Sequence, residues 1–424
     1  MSLLRNIKSH PIINTLLTVK GNPKLCIYTE PLWVVPFNLY MPFVAVYMSA
    51  LLLTDQQIGI VASIFMFSSA VVSIFSGALT DKLGRKLTTF IFDVLSWSIP
   101  TLLWAFSQNF WWFAVAAAFN GLMQITTNSW TCLLVEDTEK AVVVRVFSLL
   151  HFINQLSVIF APIAALMVNR LSLIPAMRIL YIFTFVSMTI KFIILYKFGD
   201  ETEVGKTRMK ETANMSIWQI MGGYGQIYKN IFASRDMVLS LALSTIFSIT
   251  GMIYTNFFGI YVTGALGIEK YVLAYFPIIR SAVIVLFLFF IQPRLDKFGF
   301  KNPMLIGLVI FIASLVLLIY SPMEVLFALI ISIILDAIAF SFVVPRVDSL
   351  IQILIEPSER ARIRGLMMVI VLGCTIPFGY LAGWLSEIDR RYPFILIIGL
   401  FIITLITIAG NKKRLAALHK QSMM

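Results

Sequence analysis

Charged residues are scarce in this chain. Only 13% of its 424 residues are charged, whereas 59% are hydrophobic and the mean hydropathy is +0.90. An ordinary soluble domain carries about 25% charged residues, so this composition excludes a typical soluble globular protein. It predicts a chain that crosses a membrane several times.

Cysteine is also rare, and the common catalytic motifs are missing. Cys26, Cys132 and Cys374 lie far apart and have no His or Cys at metal-ligand spacing, which supports neither a disulfide framework nor a zinc site. The sequence contains no HExxH, GxSxG, phosphate-binding glycine loop or paired-cysteine motif in a suitable context. We therefore expect no enzyme activity, no metal and no cofactor.

Two other features of the sequence narrow the possibilities. The net charge is +12, but the basic residues are spread through short loops and form no continuous patch, so we expect no nucleic-acid partner. Residues 1–30 lack the short apolar core and cleavage site of a secretory signal. We therefore expect the first apolar run to remain as a membrane span.

Twelve apolar runs are long enough to cross about 30 Å of hydrocarbon, which takes roughly 20 residues. The first six cover 31–52, 57–79, 88–106, 110–134, 146–168 and 176–196. The other six cover 237–262, 271–291, 303–320, 325–354, 365–385 and 393–409. The sequence thus predicts an all-α polytopic membrane protein.

Basic residues predict its orientation and its parts. About 25 of the 33 Lys and Arg lie in the tails and even-numbered loops, so we expect these segments, and with them both termini, to lie in the cytoplasm. The expected location is the cell (plasma or inner) membrane. The polar linker between the sixth and seventh spans is too short to form its own core. It is expected to act as a tether, with an interfacial helix anchored by Trp218. The expected parts are a cytoplasmic segment 1–30, a six-helix bundle 31–196, a linker 197–235, a second six-helix bundle 236–410 and a cytoplasmic tail 411–424.

The charged segment between the second and third spans is repeated in part between the eighth and ninth spans. Its first copy contains Gly77, Asp81, Lys82, Gly84, Arg85 and Lys86. About 215 residues later, Asp296, Lys297 and Gly299 repeat part of the pattern, with Gln292 in place of Gly77 and Phe300 in place of Arg85. Such a repeat predicts two six-helix halves in parallel orientation, with a substrate site near the midplane.

This segment resembles the cytoplasmic signature loop of the major facilitator superfamily. The resemblance, to twelve-helix transporters of the prokaryotic type, implies two six-helix bundles related by a pseudo-two-fold axis along the membrane normal. It also implies secondary active transport by alternating access. The conformational latch would then consist of Gly77, Asp81, Lys82, Gly84, Arg85, Lys86, Asp296, Lys297 and Gly299. Gly84 would allow a left-handed turn.

Ionisable residues inside the predicted spans are candidates for function because charge at the bilayer centre is costly. Arg280 and Asp336 both lie roughly 15 Å below the outer membrane surface, so we expect them to interact, either as a coupling site or as a structural pair. Lys191 is expected to snorkel toward the cytoplasm. The candidates for proton coupling are Asp336, Asp348, Asp93 and His151.

Uncharged polar residues complete the predicted substrate cavity. Asn120, Gln124 and Asn128 form a polar stripe at helical spacing, and His151, Asn154 and Gln155 form another. Such stripes either line a cavity or join helices. The resemblance implies that the first, fourth, seventh and tenth helices line the path. The full cavity set is Asn38, Tyr40, Tyr47, Asn120, Gln124, Asn128, Asn154, Tyr254, Asn256, Arg280 and Asp336.

Three functions remain open at this stage. The first is transport of a small organic solute, coupled to protons; the second is export of amphipathic drugs or lipids on the same fold; the third is a membrane-embedded enzyme or a sensor that retains the fold, of which the enzyme is least supported because no catalytic motif is present. The fourth span lacks the arginine that many proton-coupled exporters of the superfamily carry, and Gln124 is its nearest large polar residue. The expected partners are a small-molecule substrate, the lipid bilayer and protons, and the protein is expected to be a monomer.

One expectation concerns the latch. In an outward-open state, we expect Asp81 to lie beside the start of the eleventh span, near 362–365, because a carboxylate is stabilised at a helix amino terminus. Asp296 is expected to lie similarly at the start of the fifth span.

Overall fold

A computed structural model provides the structure of the protein. It describes residues 16, 18–138, 140–222, 229, 231–291, 301–354 and 360–410. Within these ranges the chain forms helices and no strand, which confirms the predicted all-α class. The second copy of the signature segment, with Asp296, Lys297 and Gly299, lies outside the described residues, and so does the side chain of Asp348.

The helices of the amino-terminal half follow the predicted spans. They are α1 (Gly21–Thr29), α2 (Pro31–Tyr40), α3 (Val44–Ala50), α4 (Asp55–Leu83), α5 (Arg85–Asp93), α6 (Ile99–Phe106), α7 (Phe110–Asn120), α8 (Met123–Val135), α9 (Lys140–Ser157), α10 (Ala161–Leu171) and α11 (Leu173–Phe198). Helices α1 to α3 form the first span, α4 the second, α5 and α6 the third, α7 and α8 the fourth, α9 and α10 the fifth, and α11 the sixth.

The linker and the carboxy-terminal half contain the remaining helices. They are α12 (Glu203–Thr212), α13 (Ile217–Ile220), α14 (Arg235–Gly264), α15 (Phe276–Phe290), α16 (Lys301–Ile319), α17 (Leu326–Leu354), α18 (Arg360–Ile388) and α19 (Tyr392–Gly410). Helices α14 to α19 form the seventh to twelfth spans, one helix each.

Eleven helical stretches of the described chain are long and apolar enough to cross a membrane. The predicted fourth span is not among them, because its helix is interrupted: α7 ends at Asn120 and α8 begins at Met123. Gly121 lies at this break, where an added Cβ would come within 2.5 Å of the Ser68 side chain. The Ser68 hydroxyl donates to the Ala118 carbonyl oxygen at 2.6 Å, which satisfies an acceptor near the broken end.

The third span carries a related irregularity. Residues Val94–Ser98 form one turn of π-helix between α5 and α6. The Asn120 amide, at the end of α7, donates to the Ser96 carbonyl oxygen at 2.8 Å. The bulge and the break in the neighbouring span are therefore joined by a hydrogen bond, and π-bulges occur frequently at functional sites.

The described chain forms two compact units. Unit 1 comprises 1–41, 67–163 and 175–223, and unit 2 comprises 42–66, 164–174 and 224–424. Unit 1 has a core of aromatic rings that includes Trp33, Phe37 and Trp97, with the Trp33 and Trp97 centroids 5.1 Å apart. In unit 2, Phe311 stacks on Phe401 with their centroids 5.0 Å apart.

Two local features differ from the expectation. The helix of the first span begins at Gly21 rather than near residue 31, so Glu30 lies within that span. The signature segment is not an extended loop: α4 continues to Leu83, α5 begins at Arg85, and Gly84 alone connects them. Gly84 has φ +84°, which confirms the predicted left-handed turn at this glycine.

Candidate transport site

Arg280 and Asp336 form an ion pair in unit 2. The Arg280 Nε donates to Asp336 Oδ2 at 2.8 Å, which confirms the interaction expected from their equal depth. Arg280 lies one turn into α15, whose first turn contains Pro277, and Asp336 lies near the middle of α17. These two helices pack against each other, which brings the guanidinium to the carboxylate.

Aromatic rings surround this pair. The Arg280 guanidinium lies over the Phe340 ring, 4.5 Å from its centroid. Tyr254 interacts electrostatically with both Asp336 and Arg280 and stacks on Phe258 with a centroid separation of 4.7 Å. The arrangement offers a cation, an acid, a phenol and apolar faces, which together can hold an organic group that carries negative charge or accepts hydrogen bonds.

The pair is not sealed inside the protein. The Arg280 side chain is 36% exposed, whereas the Asp336 side chain is 9% exposed. Donors on the guanidinium beyond Nε can therefore reach a ligand while Nε remains bonded to the carboxylate.

The polar stripe of the fourth span is largely occupied by contacts within unit 1. Asn120 bonds to Ser96, and the Asn128 amide lies 3.4 Å from the Thr80 hydroxyl. These two contacts join helices, which was the alternative to lining a cavity. Gln124 is half-buried, and its side chain forms no hydrogen bond with any described residue.

The other predicted cavity residues fall into three groups. Tyr40 and Tyr47 are buried in helix packing, and Tyr40 contacts the rings of Phe37 and Tyr181. Asn38 and Asn256 are half-buried and bond to backbone carbonyls four residues earlier, Asn38 also to the Ser157 hydroxyl. Asn154 is exposed.

The proton-coupling candidates also differ in surroundings. Asp93 is buried in unit 1, where its Oδ1 accepts a hydrogen bond from the Thr126 hydroxyl at 2.6 Å. His151 is exposed on α9. Asp336 is paired as described above.

Lys191 does not snorkel as expected. It is buried in unit 1, and its Nζ lies 2.8 Å from Glu30 Oε2. It also faces two indole rings, with 5.7 Å to the Trp33 centroid and 5.5 Å to the Trp130 centroid. Reasoning from the sequence missed this partner because Glu30 was assigned to the cytoplasmic tail. An acidic residue directly before the apolar run, followed by Pro31 as a helix start, was the available signal.

The signature segment is bound by the linker. Asp81 pairs with Arg85 at 3.0 Å and with Arg208 of α12 at 2.9 Å. Arg85 is also bonded to Glu136, which lies after the fourth span. Lys82 donates to the Met215 carbonyl oxygen at 2.8 Å. Three predicted latch residues, Asp81, Lys82 and Arg85, thus form polar contacts, and those of Asp81 and Lys82 with the linker were not anticipated from the sequence. Their role as a latch stays a prediction.

Glu201 holds the first turn of the third span. Its carboxylate accepts from the backbone N–H groups of Arg85 and Lys86, both at 2.9 Å. A carboxylate at a helix amino terminus satisfies unpaired donors and complements the helix dipole. The linker residues from Glu201 to Met215 are therefore packed within unit 1.

In unit 2, polar contacts join the start of α4 to the end of α18 and the residues that follow it. Asp55, at the start of α4, accepts from the Ser386 hydroxyl at 2.6 Å and from Arg390 Nε at 3.4 Å. Gly59 and Gly379 face each other so closely that a side chain on either would collide with the backbone of the other. The second and eleventh spans are thus in direct backbone contact at this end.

Metal ligation finds no support in the described ranges, where no group of three or more His, Cys, Asp or Glu side chains converges.

Comparison with known proteins gives the family. The family model described as Major Facilitator Superfamily matches residues 34–371. A segment of 92 residues is 37% identical to the multidrug resistance protein MdtG of Rahnella sp. (strain Y9602) and 39% identical to that of Serratia proteamaculans (strain 568). The segment is 20% of this chain and spans 22% of the length of either relative.

Solved structures agree at the level of the fold. A variant of the nucleoside transporter NupG has a TM-score of 0.73 and 18% identity, covering 92% of this chain and 99% of that chain. A peptide transporter POT in complex with sulfate has a TM-score of 0.67 and 12% identity, covering 94% and 95%. Together with the family match over most of its length, the helical fold and the signature segment show that the chain belongs to the Major Facilitator Superfamily.

Proposed function

We propose that this protein is a secondary active transporter that moves a small organic solute across the membrane by alternating access. The observation that carries the proposal is the Arg280–Asp336 pair, a 2.8 Å contact between a partly exposed guanidinium and a buried carboxylate on two neighbouring apolar spans. Charge inside a span is costly and marks transport pathways. Family membership supports the same conclusion.

The pair supplies a physical link between solute and proton. A guanidinium cannot release its proton, so Arg280 needs an anionic or polar partner. When a solute group that carries negative charge binds Arg280, the guanidinium stabilises the ionised carboxylate of Asp336 less strongly, so Asp336 takes up a proton more readily. By linkage, proton uptake at Asp336 then strengthens solute binding.

Two polar contacts support alternation. With the predicted orientation, both termini are cytoplasmic, the Asp81–Arg208 contact lies at the cytoplasmic end and the Asp55–Arg390 contact lies at the outer end. We propose that these contacts break and form during transport, and that Asp81 moves to the start of the eleventh span in another state. The protein would act as a monomer in the cell membrane.

The test begins with the solute. Thermal-shift screening of the purified protein should include nucleosides, peptides and amphipathic drugs, the classes named for the similar proteins. A ligand that binds the folded state raises the unfolding temperature. The first hit then serves as substrate in proteoliposomes with an imposed pH gradient.

The variants Arg280→Gln and Asp336→Asn should each abolish pH-driven accumulation, and Asp336→Asn should retain counterflow because solute exchange needs no net proton transfer. Glu269→Gln, which changes an exposed acid outside the spans, is the control and should transport as the wild type does. Normal accumulation by both site variants would exclude the proposed coupling.

Export of amphipathic drugs is the second candidate. The observation that favours it is the aromatic set at the site: Phe340 lies under the Arg280 guanidinium, and Tyr254, which interacts with the pair, contacts the rings of Phe258 and Phe394. The similarity of a 92-residue segment to multidrug resistance proteins points the same way. Dye extrusion by inverted vesicles, with and without a proton gradient, distinguishes this candidate from solute uptake.

A further inference from the structure

Unit 1 contains a second group of buried charges that the proposed coupling at Arg280 does not use. Glu30 on the first span, Asp93 on the third and Lys191 on the sixth are buried, each less than a tenth exposed when the whole residue is counted. Lys191 and Glu30 are in contact at 2.8 Å, and Asp93 interacts electrostatically with both of them. We call these three residues the acid-lysine cluster.

The cluster has one acid more than it has bases. The Lys191 ammonium lies on Glu30, so Asp93 is left with one hydrogen bond among the described residues, from the neutral Thr126 hydroxyl. An isolated carboxylate in an apolar interior is strongly disfavoured and is neutralised by taking up a proton. Glu30, Asp93 and Lys191 therefore carry zero net charge only when one proton is bound.

Neighbouring groups do not remove this imbalance. Cys26 is the other titratable residue that interacts with all three members of the cluster, and a neutral thiol adds no charge. Arg85 is engaged by Asp81 and Glu136, and Lys86 lies over the Tyr196 ring at 5.1 Å. The walls of the cluster are apolar, because Trp33 and Trp130 flank the ammonium.

We propose that the acid-lysine cluster is a proton-binding site in which Glu30 and Asp93 share one proton, with Lys191 pairing to whichever acid is ionised. In the arrangement of the structure, Lys191 is on Glu30 and the proton is on Asp93. If the ammonium moves to Asp93, the proton passes to Glu30, and the net charge stays the same. Release of the proton leaves one uncompensated negative charge.

The backbone beside Asp93 is suited to rearrangement. Asp93 directly precedes the π-helical turn Val94–Ser98, and that turn is bonded to the end of α7 at the break in the fourth span. Movement at the break can therefore reach Asp93 through one turn of helix. The use of this proton in transport rests on the proposed function, but binding of the proton does not.

Infrared difference spectroscopy can count the protonated carboxyl groups directly. The full-length protein in lipid nanodiscs is compared between neutral and alkaline buffer, and the carboxylic C=O band is integrated. We expect one buried protonated carboxyl in the wild type. Asp93→Asn should remove the band, because Glu30 is then the one acid for Lys191. Glu30→Gln should also remove it, because Lys191 then pairs with Asp93.

Lys191→Met should double the band, since two acids without a cation both take up protons. Asp336→Asn is the matched control and should leave the band unchanged, because Asp336 is paired with Arg280 in unit 2. A wild type without the band, or a band that persists in Glu30→Gln, would overturn the proposal. Should the lysine variant fail to fold, the wild type and the two acid variants still decide the question.

The outcome is independent of the transport assay. If Arg280→Gln accumulates solute normally while the band behaves as described, the proposed coupling at Arg280 fails and the proton site of unit 1 stands. If the band is absent and Arg280→Gln abolishes accumulation, the reverse holds.

Discussion

The Lys191–Glu30 pair of unit 1 and the Arg280–Asp336 pair of unit 2 have the same N···O distance, 2.8 Å, but different access. The Lys191 and Glu30 side chains are 5% and 11% exposed, whereas Arg280 is 36% exposed beside a 9% exposed Asp336. A sealed cation can exchange partners only with a group inside its own cluster. A partly open cation can exchange a carboxylate for a solute, so contact distance alone does not identify a binding site.

The aromatic surroundings reinforce this difference. Lys191 has an indole ring on each of two sides, at Trp33 and Trp130, and these rings complete its enclosure. Arg280 rests on the single ring of Phe340, which leaves part of the guanidinium uncovered. The comparison predicts that the effect of breaking an ion pair falls as the exposure of the pair rises.

Lys191→Met breaks the least exposed of these ion pairs and should have the largest effect on stability. Removing one partner of a buried pair costs about 3–5 kcal/mol because the other is left without compensation. Unfolding of the purified protein, followed by tryptophan fluorescence at several pH values, measures it.

The double variant Lys191→Met with Glu30→Gln is the control. It removes the cation and one acid together, and such paired replacements are often close to neutral. It should therefore recover much of the stability lost in the single variant. Equal stability of Lys191→Met and the wild type at all pH values would show that the pair is not sealed.

Arg280→Gln should destabilise the protein less, by about 1–3 kcal/mol, the usual cost of leaving a buried partner such as Asp336 without its bond. Water that reaches the open side of the site can solvate the carboxylate in part. The effect on solute accumulation should nevertheless be complete. A loss of stability as large as that of Lys191→Met would contradict the difference in access.

The sequence predicted the span positions and this open pair because both follow from depth along apolar runs. Arg280 and Asp336 lie at equal depth in separate spans, and their helices are in contact. Gly84 was predictable as well, since a glycine between two charged helix ends is the residue suited to a left-handed turn.

The sealed pair was not predictable by the same reasoning. Glu30 was assigned to the tail because the apolar run begins at residue 31, whereas the helix begins at Gly21 and carries the acid into the membrane region. The break at Gly121 was hidden as well, because hydropathy is continuous across it and the close contact with Ser68 comes from another helix. Both features depend on tertiary contacts that composition does not encode.

The ion pair between Arg208 of the linker and Asp81 has more exposed side chains than the two pairs above. Their side chains are 38% and 19% exposed, and the hydrogen bond with Asp81 raises the pKa of the Arg208 guanidinium, which stays charged. Arg208→Gln should cost about 0.2–1 kcal/mol and should increase protease cleavage of the linker. The difference from the wild type should shrink in high salt, because exposed charges are screened.

Lys210→Gln is the matched control for this contact, since it removes an exposed positive charge from the same helix. Its cleavage rate should match that of the wild type. Equal protection of the linker in Arg208→Gln would mean that Glu201 and the other linker contacts hold α12 without this arginine.

The pair of Glu203 and Lys206, whose side chains are 81% and 52% exposed, should have the smallest effect. The hydrogen bond from Lys206 lowers the pKa of Glu203, and the bond to Glu203 raises the pKa of Lys206. Any stability from Glu203 is therefore present above its unfolded pKa and lost as the pH falls through the folded value. Any stability from Lys206 is lost as the pH rises past its own unfolded value.

Solvent competes for both groups of this pair, so Glu203→Gln should unfold with the wild type across the whole pH range, including the acid limb where the carboxylate is protonated. The same fluorescence series used for Lys191→Met measures it, with that variant as the large-effect reference. A clear loss of stability in Glu203→Gln near neutral pH, absent in acid, would show that an open pair can stabilise this fold. The proposed relation between access and strength would then fail at its exposed end.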